Sequence, residues 1–340
     1  MNTGLDEGIG IIRILIVGLW FALMNVPQGA FANHGPATSA GGSATLTGHT
    51  LEEGESKISV DTVYTSYEDV SAEETIRRAK EAGEFDALGA SYLTNVIYSY
   101  GITDELELDG KIGWYSGINF RETHATTDEV EDKDLRDTQS NEVETATASP
   151  EGITDLSIGL KYRGWSGSLG DLSLLGGILL PTGENNQRLS NGDRLEPSSQ
   201  PGTGAFGVQG GFSYSLRATS RIGLDVSGLY LKHTSNDGFE VGDRIDDGIA
   251  VSYKLSGSSD HAPELFSEVS HVWLGKDSSK GEGSNPNSGG TSYFLTTGVR
   301  GRLSERISVA IAPTVPLHQQ LSGEQVGVDW RLYGQVTVLI

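Results

Sequence analysis

Cysteine is absent from all 340 residues, which excludes disulfide staples, thiolate metal sites and redox chemistry. An exported chain of this size must then be held by its backbone ladder or its core. Basic residues are scarce: 24 Lys and Arg stand against 46 Asp and Glu, a formal charge of -22. Such a field repels phosphate backbones and argues against nucleic acid as a partner. Long apolar runs are missing as well. After the first 26 residues none approaches the ~20 residues of a membrane-spanning helix, and the mean hydropathy is -0.26.

The uncharged apolar stretch Ile14 to Met24 follows Arg13 and precedes Pro27 and the small-x-small sequence Ala30-Phe31-Ala32. It reads as a cleaved signal peptide over 1–32, with the mature chain starting at Asn33. An N-terminal anchor is the alternative, but Ile11 to Val26 is shorter than a spanning helix requires. Removing 1–32 takes away Asp6, Glu7 and Arg13, and the mature chain stays strongly acidic.

What is present is alternation. In the last thirteen residues, Val328, Trp330, Leu332, Gly334, Val336, Val338 and Ile340 fall on one face of an extended strand. Asp329, Arg331, Tyr333, Gln335 and Thr337 fall on the other. Spanning a bilayer takes about 9–11 strand residues, apolar toward lipid and polar toward a lumen. A final strand of this kind is also the address expected for barrel-assembly machinery. Elsewhere Leu106, Leu108, Ile112 and Trp114 oppose Glu105, Glu107, Asp109 and Lys111, and Ile222, Leu224, Val226 and Tyr230 oppose Asp225 and Ser227. Four charges on the inner face of one strand do not fit a dry core, where each would cost several kcal/mol unpaired. They fit a hydrated lumen.

Strand-like segments lie near 56–67, 86–100, 104–119, 153–164, 170–181, 204–216, 221–232, 243–256, 262–275, 291–302, 306–318 and 326–340. Short and long connections alternate strictly between them. The expectation is all-β: an up-and-down antiparallel transmembrane β-barrel of about 12 strands, with tight periplasmic turns and long external loops. Outer-membrane lipid is then the surrounding partner. Tyr64, Tyr67, Tyr98, Tyr100, Trp114, Tyr162, Trp273 and Trp330 are placed to form interfacial girdles. Residues 33–55 read as a flexible or lightly docked periplasmic arm, with the barrel filling 56–340. Residues 71–82, with Ser71 three before Glu74, predict a short capped helix in the first external loop. Loop 120–152 reads as a solvated acidic surface.

Several segments together resemble the MetA-pathway-of-phenol-degradation family of outer-membrane, transporter-like barrels. They are His34-Gly35-Pro36, Tyr98 to Asp104 (YSYGITD), Gly152 to Leu156 leading to Leu160 to Arg163, and Leu180 to Gly183. Pro201 to Gly204, Val241 to Arg244, and Ala312 to Pro316 followed by Gly323-Glu324-Gln325 complete the set. The resemblance spans nearly the whole mature chain and implies an outer-membrane barrel with a transport role. It carries no set of binding residues and no demonstrated substrate.

Three functional classes fit. The first is a channel for passive or facilitated uptake of small solutes, aromatic or other organic permeants among them. Its lumen would be lined by Glu107, Asp109, Lys111, Asp225, Arg300 and Arg331, whose mixed charges tune selectivity. The second is a closed structural or binding barrel plugged by internal ion pairs or by residues 33–55. The third is a rim hydrolase, for which His124 and His233 fall in the external loops. No nucleophile elbow, phosphate loop or HExxH pattern supports an enzyme, and no cofactor is implied. Pro181-Thr182-Gly183 and Pro201-Gly202-Thr203-Gly204 bracket the loop 182–203, as turn chemistry or as the mouth of an inward-folding lid. After cleavage at Ala32, the new amino terminus, the His34 amide and its imidazole could chelate copper, with His49 on the same arm. An incidental tail histidine is the plainer alternative.

Overall fold

The computed structural model describes residues 45–127, 141–255, 262–281 and 283–340. The expected signal peptide, His34 and residues 128–140 of the acidic loop lie outside them. Twelve antiparallel strands form a closed barrel: β1 (Ser56–Tyr67), β2 (Ala90–Thr103), β3 (Leu106–Ile118), β4 (Leu156–Gly167), β5 (Gly170–Leu180) and β6 (Gly207–Arg217). The second half is β7 (Ile222–His233), β8 (Arg244–Lys254), β9 (Glu264–Leu274), β10 (Gly290–Arg302), β11 (Ile307–Leu321) and β12 (Val328–Leu339). Each strand pairs with the next, and β12 closes on β1 from Lys57↔Leu339 to Tyr67↔Val328. Twelve strands about 4.8 Å apart and tilted near 40° enclose a cylinder about 24 Å across between backbones. Side chains alone do not fill that width.

Closure has one weak seam. β11 pairs with β12 only from Ile307↔Val338 to Thr314↔Arg331. Beyond it Pro316 has no N–H to give, and the register of β11 on β10 shifts between Tyr293 and Phe294. The Gln319 amide stands in for the missing ladder, donating to the Val328 carbonyl at 2.9 Å and accepting from the Val328 N–H at 3.0 Å.

The outer face is apolar along its length. Val60, Val96, Ile112, Leu174, Ile249, Ile311, Leu332 and Val336 are all exposed there, which only a hydrocarbon surround satisfies. Tyr64 lies against Tyr92 and Trp330 (centroids 4.9 and 5.1 Å) near the outer edge, and Tyr98, Tyr100 and Tyr162 stand near the periplasmic one. Tyr67 corrects the girdle expectation. Its position shares the inward parity of Val63 and Thr65, and it is buried at 9 % exposure inside the barrel mouth.

The external loops hold more structure than expected. The predicted helix appears as α1 (Ala72–Ala82), with the Glu74 N–H donating to Ser71 Oγ at 3.2 Å. Residues Glu84–Ala87, Phe120–Thr127 and Asn141–Ala148 form a separate three-stranded sheet beside it. Ala79, Phe85 and Phe120 are buried at their junction.

Candidate functional site

The interior is the candidate site, and three layers occupy it. The lowest is the chain before β1. Leu51 N–H donates to Glu107 Oε2 on β3 at 2.8 Å, and Gly48 N–H to Ser215 Oγ on β6 at 2.8 Å. Leu46 N–H donates to Ser227 Oγ on β7 and Thr45 N–H to Glu268 Oε2 on β9, both at 2.8 Å. β3 and β9 stand six strands apart in a barrel of twelve, so residues 45–51 join opposite walls and cross the lumen near its periplasmic end. Ser173 Oγ donates to the Gly48 carbonyl at 2.7 Å, and His49 Nδ1 lies 2.6 Å from Asp171 Oδ2. Glycine is required at 48: a Cβ there would lie 2.2 Å from the Asp171 carbonyl oxygen. At the exit the arm docks on the β2–β3 turn, where Thr50 Oγ1 and Glu53 N–H both donate to Asp104.

Above the arm lies a water-accessible chamber of about 490 Å³. Four of the six residues expected to line a lumen border it: Glu107, Asp109, Lys111 and Arg300. Asp225 and Arg331 share the inward face but lie outside this chamber. Asp225 accepts from Ser215 Oγ at 2.5 Å, beneath the arm, and Arg331 stands higher with its guanidinium 4.3 Å from the Phe294 ring centre. Lys57, Asp61 and Lys161, which are not among those six, also border the chamber. The same inward parity marks all three. Several of these charges are held across strands: Lys57 Nζ lies 3.5 Å from Glu107 Oε1, Arg300 Nε 3.0 Å from Glu264 Oε2, and Asn95 Nδ2 donates to Asp61 at 2.9 Å.

The third layer is a roof. Leu189 and Leu195 of loop 182–203 are buried in one apolar cluster with Val272 and Leu274 of β9, Phe294 of β10 and Leu321 of β11. The loop leaves from β5, so it reaches across the mouth to the far wall. Its base is gathered on one carboxylate. Asp155 Oδ1 accepts from Gly183 N–H at 2.9 Å, and Oδ2 accepts from Thr203 N–H and Thr203 Oγ1, each at 2.8 Å. Gly183 and Gly202 meet so closely that a Cβ on either would lie within 2.7 Å of the other's Cα. Replacing Asp155 with alanine removes three charge-assisted bonds and is expected to lower the opening free energy of the loop by about 3 kcal/mol. Limited proteolysis between 184 and 195 should then speed up more than about a hundredfold at an unchanged barrel melting temperature.

The histidines weighed for a rim hydrolase sit otherwise. His124 has carboxylates beside it, Glu122 at 2.7 Å and Glu84 at 3.7 Å, and His233 is fully buried with Nδ1 3.3 Å from the Gly242 carbonyl. His271 does align Asp247 (2.8 Å) with Thr291 Oγ1 (2.7 Å), on the lipid face of β9 and β10. There β10 is paired on both edges, so its backbone N–H groups serve the ladder and not an oxyanion. In the roof loop, burial first and then the charges of Glu84, Asp277 and Glu122 push the Glu196 carboxyl up to about 8. Burial, with Glu84, Glu196 and Glu122 close by, also raises Asp86 well above the ordinary carboxylate range.

The apolar outer belt, the closed ladder and the polar interior define a twelve-stranded outer-membrane β-barrel associated with lipid on its outer face. The chain belongs to the family described as "Putative MetA-pathway of phenol degradation", whose model matches residues 60–299. Among solved structures it is similar to the COG4313 outer membrane channel from Pseudomonas putida F1, with 13 % identity and a TM-score of 0.56 over 86 % of this chain and 97 % of that one. It is also similar to a Pseudomonas aeruginosa FadL homologue, with 10 % identity and a TM-score of 0.42 over 92 % of this chain and 98 % of that one. No curated protein matches the sequence.

Proposed function

We propose that this protein is an outer-membrane channel for small solutes, held narrow by its own chain at both ends. The observation that carries this reading is the charged, hydrated chamber of about 490 Å³ between the arm and the roof. Lys57, Asp61, Glu107, Asp109, Lys111, Lys161 and Arg300 share one internal surface, and charges of both signs there orient a polar permeant. The volume suits a single organic molecule of modest size. Passage requires the arm at 45–51 and the roof at 182–203 to give way. No chemical step enters this reading: the chamber charges act by attraction and orientation. The last strand, β12, serves as the signal for barrel assembly.

Refolded protein in planar bilayers should show discrete conductance steps, and liposomes containing it should swell in small sugars or carboxylates. The two-sided occlusion favours a second reading, a closed binding barrel. Lack of conductance both in the intact protein and in one lacking residues 45–53 would establish that alternative and end the channel reading.

A further inference from the structure

Beside the roof, several chain segments contribute side-chain oxygens to the lining of one small space. On the outer sheet Glu84 pairs with His124 and Asp86 with Glu122, so alternate positions place all four on one face. Glu196 of the roof loop, Asn285 and Asn287 before β10, and Glu324 and Gln325 before β12 complete a small space of about 30 Å³ with Glu84 and Asp86. That is room for one water or one ion. The nearby Arg78 is already engaged, 2.8 Å from Glu74 and 3.7 Å from Glu324. His124 Nε2 lies 2.7 Å from Glu122 and 3.7 Å from Glu84.

Crowded carboxylates alone would not define a site. Gln325 supplies the second observation. It is 5 % exposed, and its Nε2 donates to the carbonyls of Gly289 (3.1 Å) and Ser322. Turning the amide over would set its oxygen against those two carbonyls, so the orientation is fixed. The Oε1 is therefore held away from them, sealed from solvent, with no hydrogen-bond donor among the described residues. A buried acceptor without a donor is rare in folded proteins unless an ion or water completes it. Its neighbours in this space are the carboxylates of Glu84, Asp86, Glu196 and Glu324 and the amides of Asn285 and Asn287, and none of them donates to it.

We propose that Glu84, Asp86, Glu196 and the Gln325 amide oxygen bind one divalent cation of the calcium type. Carboxylates mixed with an amide oxygen form a hard, flexible donor set of the kind calcium accepts, whereas zinc would require nitrogen or sulfur. The cation ties the outer sheet, the roof loop and the segment before β12 to one another, and its presence does not depend on what the lumen passes.

The test is a calcium titration of the full mature protein in detergent, after treatment with chelator, read by calorimetry and by melting temperature. Calcium should bind with one-to-one stoichiometry and raise the melting temperature. Glu196→Gln should weaken binding by at least about tenfold, while Glu305→Gln, at an exposed periplasmic turn, leaves it unchanged. Asp86→Asn should act like Glu196→Gln, which guards against one variant that merely disturbs the roof. No heat and no shift, or equal effects in Glu196→Gln and Glu305→Gln, would overturn the proposal. Tighter binding of zinc, lost in His124→Ala, would overturn it too, since the ligands would then be Glu84, Glu122 and His124, whose donor atoms lie within 4.8 Å of one another.

Discussion

Replacing Gly48 with leucine is expected to release the arm and raise the conductance of the barrel several-fold. The cause is steric and local. The Gly48 carbonyl and N–H are both bound to the wall, at Ser173 and Ser215, and the first atom of any side chain would lie 2.2 Å from the Asp171 carbonyl oxygen and 2.8 Å from the Ser215 nitrogen. Backbone in a strand cannot yield by that much, so the arm must leave the wall. Its other bonds inside the barrel, at Asp171, Glu107, Ser227 and Glu268, are single contacts of about 1–3 kcal/mol each and depend on the same alignment. With the crossing segment gone, the periplasmic end opens toward the full bore of twelve strands. Single-channel recording checks this, and the protein lacking 45–53 should show the same enlarged step. Conductance unchanged in Gly48→Leu, with the fold intact by circular dichroism, would mean that the arm is no barrier.

An arginine in place of Val336 should cost about 2–4 kcal/mol of barrel stability in a bilayer. Val336 faces outward, between Val60 of β1 and Val309 of β11, inside the apolar belt between the Trp330 layer and the Tyr98 layer. Its neighbour Gln335 borders the hydrated chamber. Arginine there should cost less than about 1 kcal/mol and should instead shift ion selectivity toward anions. Urea unfolding in lipid vesicles measures the first effect, and reversal potentials measure the second. Equal costs at 335 and 336 would contradict the assignment of the two faces.

The strands were legible because a barrel wall repeats one rule at every second residue. Lipid on one side and water on the other impose the alternation directly on the chain, as in Val328 to Ile340. Short turns and capping are equally local, which is why β4–β5 and the Ser71 cap could be anticipated. Parity also placed Glu107, Asp109, Lys111 and Arg300 in the lumen. It cannot give height along the barrel, so Arg331 sits higher, on Phe294, and Asp225 sits beneath the arm. Tyr67 was misjudged for a related reason: an aromatic near a strand end satisfies either a girdle or a roof, and only its parity decides.

The segments that carry the family resemblance gain a physical meaning from the fold. Asp155, Gly183, Gly202 and Thr203 are scattered over nearly fifty positions and converge on the base of one loop. Gly101 and Asp104 receive the arm, with a Cβ at Gly101 only 2.0 Å from the Glu52 carbonyl oxygen. Glu324 and Gln325 reach the acidic cleft beside Glu84 and Glu196. Each of these is a contact between distant parts of the chain.

By itself, then, the sequence determined the wall: twelve strands, their two faces, their order and the side on which the turns fall. Those properties follow from periodicity, and periodicity is local. What fills the wall was decided only in three dimensions. A carboxylate such as Glu107 looks the same in sequence whether it faces open water or the Leu51 N–H. The arm's path from β3 to β9, the roof's reach from β5 to β10 and the shared cleft of Glu84 and Glu196 depend on closure, which brings distant parts of the chain together.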